Sequence, residues 1–343
     1  MKYCGLDLGK KSSHFCVMNE KKEILLEGKV SNRADKLFEV FGHLEPMRIV
    51  IEASSKAFWI ADVLQQIGHS PVVTDPGRTK AIGAAKIKHD KLDKLDARVL
   101  AMLCVADLLV EVDRPTETQR LARMPVVARD GLVRCRTILI NQVRSMLDSE
   151  GIIVKQCGTD VFVDRVVDRW DELPTEMGEA IESVLNAIHA LTEEIKACDK
   201  KLKETIAEDE EAKLLMTAPG VGPIVAACFL MAIRDPARFD SGRQAGAYLG
   251  LVPSLYQSGN THRRGRITKH GNKQARWALS VAANVLLGPN IKQRSALREW
   301  GLSLVKRIGR KKAVIAVSRK LASVLWSMLR NKTAFEPRLA AAA

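Results

Sequence analysis

Short apolar runs alternate with helical periodicities over the first 107 residues. Residues 2–8 (KYCGLDL), 13–18 (SHFCVM) and 24–30 are strand-like, and the turn-forming Asn19-Glu20-Lys21-Lys22 separates the second from the third. Three such runs in succession predict an antiparallel meander. Leu37, Val40 and Phe41 share one face of a predicted helix over 32–44. The β-branched run 47–53 (MRIVIEA) predicts a buried central strand. A helix over 55–67 (Phe58, Ile60, Ala61, Leu64), a strand over 70–75 and a helix over 91–107 complete the pattern. The order predicts one mixed sheet with helices packed on it.

Further along, the pattern becomes helical. Residues 115–150 read as a long basic helix region carrying Arg120, Arg123, Arg129, Arg134, Arg136 and Arg144. Residues 174–211 turn acidic, and Val184, Ile188, Leu191, Ile195, Cys198 and Leu202 recur in steps of four and three. Such a heptad-like seam pairs either with a second chain or with an earlier helix of the same chain. From Leu214 onward, Thr217-Ala218-Pro219-Gly220-Val221-Gly222-Pro223 leads into an apolar helix. Backbone N–H groups at Gly220 and Gly222 suit a phosphate; the other reading is an ordinary tight turn between packed helices. A Gly- and Arg-rich loop over 258–266 follows, then a basic helix beginning near Gly271 with Lys273 and Arg276. A last long helix spans roughly 303–330.

Composition sharpens this reading. A chain of 343 residues has room for two or three domains. No run approaches the length of a membrane span, and the start MKYCGLDLGKK lacks a signal-peptide pattern. The seven cysteines (Cys4, Cys16, Cys104, Cys135, Cys157, Cys198, Cys228) never occur as C-x-x-C, which argues against a zinc site or disulfide framework and for a reducing cytoplasm. Charge is strongly asymmetric. Residues 241–343 hold 20 basic and 2 acidic side chains, a net +18, whereas residues 1–240 carry 34 basic and 38 acidic, a net −4. A basic terminal third points to a polyanion, nucleic acid above all. A merely solubilising positive surface is the plainer alternative.

Four carboxylates stand where burial alone would not put them. Asp7 interrupts the first apolar strand, Glu52 ends the most hydrophobic one, and Asp93 and Asp96 are three apart on a helix, where their side chains share a face. Clustered carboxylates beside a sheet core need bound cations, and hard oxygen donors favour Mg²⁺ or Mn²⁺. Singly, Asp7 could cap a turn and the Asp93/Asp96 pair could be a solvated helix face. Their order resembles the ribonuclease-H-like fold, in its Holliday-junction-resolvase (RuvC-like) branch.

The stretches GLDLGKKSSHFCV, VIEASS, DKLDAR, APGVGPIVAA and YLGLVPSLYQSGNTHRRGRITKHGNKQARWAL resemble the transposases of the insertion sequence 110 family, the DEDD transposases related to the invertase Piv. The resemblance spans nearly the whole chain. It implies an α/β plus α architecture: an RNase-H-like metal-binding domain over 1–112, a helical linker with a coiled coil over 113–212, and a basic, mainly helical transposase domain over 213–335. It further implies a cytoplasmic DNA recombinase directed by a structured non-coding bridge RNA and working as a homo-oligomer, a dimer or a tetramer on DNA. Carried over by motif, Asp7, Glu52, Asp93 and Asp96 are the catalytic metal-binding acids, and Ser258, in the Ser258-Gly259 pair, is the residue that links covalently to DNA. The D-x-x-D-A-R pattern selects Asp93 and Asp96 and leaves Asp90 as an ambiguity. Arg263, Arg264, Arg266 and Lys269 follow Ser258 in sequence, where they would attract a phosphodiester. Without the resemblance, Ser258 reads as an ordinary turn residue. Two other functions fit the same residues: a junction-resolving endonuclease that hydrolyses DNA without the serine, and a non-catalytic nucleic-acid scaffold.

Overall fold

The apolar runs near the N-terminus pair as strand periodicity requires. In a computed structural model of the chain, which describes residues 1–77, 93–258, 261–291 and 294–337, β1 (Tyr3–Leu8), β2 (Ser12–Met18) and β3 (Ile24–Ser31) form the expected antiparallel meander. β4 (Arg48–Glu52) and β5 (Ser70–Thr74) add in parallel on the other side of β1, giving the order β3-β2-β1-β4-β5. Parallel neighbours need a crossover, which α1 (Ala34–Phe41) and α2 (Ala57–Ile67) provide. Both faces of the sheet are covered. Cys4, Leu6, Ile49, Ile51 and Val73 pack with Leu37 and Phe41 of α1 and with Ile60 and Leu64 of α2. The alternate positions meet α3 (Asp93–Val105), where Cys16 and Met18 pack with Ala97 and Ala101, and Val50 with Leu100 and Cys104. This mixed sheet fits the ribonuclease-H-like fold. Residues 91 and 92 of the predicted helix, and Asp90, lie outside the described residues.

The approach of α3 to β1 is very close. A Cβ added to Gly5 would lie 2.1 Å from the Ala97 carbonyl oxygen and 2.5 Å from the Ala101 nitrogen. Both are backbone atoms, so glycine at position 5 sets the spacing between helix and sheet.

The chain forms two compact units, Met1–Leu121 and Ala122–Ala343. The boundary falls inside α4 (Glu117–Ser149), four residues before Pro125, which has no N–H to give the Leu121 carbonyl. In the second unit α4 packs along α6 (Thr175–Ala207), after the short α5 (Phe162–Val167). Ile140, Val143 and Leu147 meet Ile181, Leu185 and Ile188, and farther along Arg129 pairs with Asp199 at 2.7 Å. The first part of the α6 seam is therefore covered by an earlier helix of the same chain, and its last positions, Leu202 and Ile206, join the core of the helices that follow. Its buried line runs through Ile181, Leu185, Ile188, Thr192, Ile195, Leu202 and Ile206, rotated from the predicted one. Thr192 belongs to it because its hydroxyl bonds the Ile188 carbonyl and receives Arg136, a pairing no apolar count detects.

The rest of this unit is a helical core of α7 (Glu210–Met216), α8 (Pro223–Ile233), α9 (Gly242–Tyr248), α10 (Lys273–Leu286), α11 (Ala296–Ile308) and α12 (Arg310–Asn331). Two expectations are corrected here. The single helix over 303–330 is two, because Gly309 takes a left-handed φ of 79° between α11 and α12. The loop over 258–266 is mostly strand: β6 (Pro253–Ser258) pairs antiparallel with β7 (Thr261–Ile267). A two-stranded ribbon needs no buried face along its length, so it leaves no hydrophobic alternation to read. Among the described residues no helix is long and apolar enough to cross a membrane.

Gly5→Ala is expected to destabilise the first unit by more than about 2 kcal/mol, since the clash is with backbone. Gly131→Ala, within α4 and with nothing near its Cβ position, should instead stabilise by up to about 1 kcal/mol. Urea denaturation with hydrogen-exchange readout of each unit checks both signs; equal effects would contradict the packing described.

Candidate active site

Strand register brings the first two predicted acids together. β1 and β4 run parallel with Leu6 opposite Ile51, so Asp7 and Glu52 come one step later on adjacent strands. Both belong to the face that carries Gly5 and Val50, the face covered by α3. Both are half-buried. Asp7 is also paired with His14 of β2, His14 with Lys29 of β3, and Glu52 with Thr74 of β5. Register partners share a sheet face. One polar row therefore crosses all five strands in the order Lys29, His14, Asp7, Glu52, Thr74.

α3 starts toward the same end of the sheet. Ala97 lies over Gly5, while Leu100 and Cys104 pack with Val50 and Tyr3, so the helix runs back down the strands from the level of the row. Asp93 is its first residue, one turn ahead of Ala97, and Asp96 immediately precedes Ala97 and is exposed. The side chain of Asp93 lies outside the described set. Among the described residues, no three His, Cys, Asp or Glu side chains are grouped closely enough to hold a metal ion.

The rotation of α3 is held by a contact that sequence reading missed. Arg98, the arginine of D-x-x-D-A-R, donates from Nε and Nη2 to the two carboxylate oxygens of Glu27 at 2.5 and 2.7 Å. Glu27 stands on β3 opposite Cys16. This bidentate geometry fixes a plane as well as a distance. The partner was not legible because Glu27 is 71 residues away, and only the register of β3 identifies it. Burial and the Glu27 carboxylate push the Cys16 thiol up to about 12, burial pushes Cys104 up to about 11, and burial raises Cys4 beyond that range. Burial thus favours the protonated form of these thiols, Cys16 and Cys104 on the α3 face of the sheet and Cys4 on the opposite face.

In the second unit Ser258 is the last residue of β6, opposite Thr261 of β7; Gly259 of the predicted Ser-Gly pair lies outside the described residues. Arg263 and Arg266 on β7 are exposed, as are Lys269 and, at the start of α10, Lys273. Arg264 is on β7. Arg276 is engaged internally: its Nη1 donates to the carbonyls of His270, Gly271 and Leu249 at 2.7, 2.9 and 3.2 Å. That anchors the base of the ribbon to α10. In the Thr217–Gly222 turn, Gly220 has φ 82° and packs against α10, where a Cβ would come 2.5 Å from the Ala282 carbonyl oxygen. Gly222 caps α8 and has open space at its Cβ position.

Comparison with known proteins resolves the class of the molecule. Residues 212–297 match the model described as "Transposase IS116/IS110/IS902 family", and residues 4–151 match the transposase model of the DEDD type of IS110. Over 333 residues the chain is 30% identical to the transposase product y4pF/y4sB of Sinorhizobium fredii, covering 95% of this chain and 83% of that one. The chain belongs to the IS116/IS110/IS902 transposase family. It is also 27% identical over 331 residues to the transposase for insertion sequence element IS1328 of Yersinia enterocolitica (96% and 97% of the two chains). Identity to the transposase for IS1111A of Coxiella burnetii is 26% over 347 residues (98% and 91%). As a family member the chain is a transposase, an enzyme acting on DNA. The DEDD match covers β1 to α4 and hence Asp7, Glu52, Asp93 and Asp96, while the second match covers the turn at Gly220, the β6–β7 ribbon and α10.

The buried thiols give a pH test. Their folded values lie above the ordinary 9.0, so above about pH 9 the unfolded chain loses protons first and the folded state loses stability. Denaturant midpoints should hold up to about pH 9 and then fall, less steeply in Cys16→Ala; an identical fall in that variant would contradict the assignment.

Proposed function

We propose that this transposase cleaves and exchanges DNA strands with two sets of groups, the acids Asp7, Glu52, Asp93 and Asp96 for divalent metal ions and Ser258 for covalent attachment to DNA. The single observation that carries the metal part is the adjacency of Asp7 and Glu52 on neighbouring parallel strands, at the end of the sheet from which α3 runs. Their donor set is oxygen only, which suits Mg²⁺ or Mn²⁺. Such an ion, when bound, stabilises charge developing on phosphorus oxygens and lowers the pKa of an attacking hydroxyl. Asp7 and Glu52 would hold it from the sheet, and Asp93 and Asp96 from α3.

Ser258 is the nucleophile in this reading. Its Oγ forms a bond to phosphorus as it gives up its proton, and the bond from phosphorus to the leaving sugar oxygen breaks, that oxygen taking a proton. The phosphoserine ester keeps the energy of the cleaved bond, so a second strand's hydroxyl can reverse the step without ATP. Exposed Arg263, Arg266, Lys269 and Lys273, together with Arg264, draw in the phosphodiester. Gly222, at the open N-terminus of α8, adds backbone N–H groups to the same task. Gly220 and Arg276 support the interface from beneath, through their contacts with α10 and with the base of the ribbon.

The choice of DNA site by an element-encoded bridge RNA rests on the motif resemblance and on the net +18 of the C-terminal third. The division into a metal-binding part over 1–112, a helical linker over 113–212 and a basic part over 213–335 belongs to the same reading, as does assembly into a dimer or a tetramer on DNA.

Ser258→Ala is expected to abolish denaturant-resistant protein–DNA adducts while DNA affinity changes less than about threefold, because a single neutral hydroxyl carries no phosphate charge. Asp7→Asn and Glu52→Gln should each reduce Mg²⁺-dependent strand cleavage by at least about a hundredfold. Gel-resolved cleavage assays on the element's own ends read both; adducts persisting in Ser258→Ala would move the nucleophile elsewhere.

A further inference from the structure

The polar row does not stop at the acids. Beyond Asp7 it continues through His14 on β2 to Lys29 on β3, which is exposed. Both are on the face of α3, since their neighbours Phe15 and Val30 point into the opposite core. The Nδ1 of His14 is buried and has no hydrogen-bond partner. Lys29, like Lys10, Lys11 and Lys56 of the same unit, makes no ion pair among the described residues, but of these it alone stands on the polar row. At about 5 Å between strands, Lys29 stands roughly 10 Å from Asp7 along the row. Carboxylates alone repel a phosphodiester. A strand lying across this end of the sheet needs positive or donating groups beside the acids, and the row supplies them on one side only.

We propose that Lys29 and His14 form a phosphate-binding arm of the active site, taking the DNA backbone next to the phosphodiester that faces Asp7 and Glu52. The proposal rests on the acid row being the metal site and adds the direction of the bound strand, which runs from β3 across β2 and β1 toward β4. Lys29 supplies charge to one phosphate, and the half-buried His14 supplies its other ring nitrogen, Nε2, to the same backbone. Their effect is on substrate binding, not on the chemical step.

The test uses the full chain with Mg²⁺ and a fluorescent DNA duplex bearing the element's end. Lys29→Met should raise KM for cleavage about tenfold with kcat within about twofold, and lower the slope of log affinity against log salt by about 1. Lys29→Arg should restore the slope, and Lys36→Met, on α1, should leave it unchanged. His14→Ala should raise KM with a near-normal slope; Lys29, being exposed, keeps the test open if His14→Ala fails to fold. Asp7→Asn separates the two levels of inference: cleavage surviving in Asp7→Asn overturns the acid site itself. Cleavage lost in Asp7→Asn, with Lys29→Met binding and cutting DNA like the parent at every salt concentration, overturns the arm alone. A changed slope with RNA but not with DNA also overturns it.

Discussion

A helix backbone resting directly on a strand backbone governs the N-terminal unit. Because Gly5 has no side chain and Ala97 and Ala101 have small ones, α3 settles onto β1 at a spacing no larger residue permits. That contact sets where the helix begins relative to the strands and so brings Asp93 and Asp96 toward the end of the sheet that holds Asp7 and Glu52. The Glu27–Arg98 pair then limits rotation of the helix about its axis. One apolar close approach and one bidentate ion pair thus govern the level and the orientation of the acid-bearing helix.

Much of this was legible in the sequence. Alternation and β-branching located β1 to β5 within one or two residues, and the acids at the ends of β1 and β4 stood out because each interrupts or closes an apolar run. What escaped were features held by distant partners. Glu27 meets Arg98, and His14 and Lys29 line up with Asp7, only through strand register, which local periodicity does not encode. The ribbon at β6–β7 escaped for a different reason. Its strands are stabilised by their mutual ladder and by the Arg276 carbonyl contacts at their base, so Thr261–Ile267 shows arginines where a buried strand would show alternation. Gly309 was visible as a residue, but its left-handed φ, which splits α11 from α12, was not.

The charge division of the chain has a chemical counterpart. The first 240 residues are slightly acidic and include the carboxylates suited to metal ions, while the last 103 carry the net +18 suited to a polyanion. Family membership establishes an enzyme that acts on DNA; the function proposed above gives the acids the chemistry at phosphorus and the basic ribbon the capture of its backbone. Arg276 has a structural part that sequence reading did not assign: its Nη1 donates to three carbonyls at the ribbon's base.

The central claim is that Asp7 and Glu52, adjacent across β1 and β4, form one cation-binding edge. The most direct measurement is anomalous diffraction from crystals of the protein soaked in Mn²⁺. A manganese peak within coordinating distance of both carboxylates, absent in Asp7→Asn, is the expected result. Manganese bound elsewhere, or an unchanged peak in that variant, would contradict it.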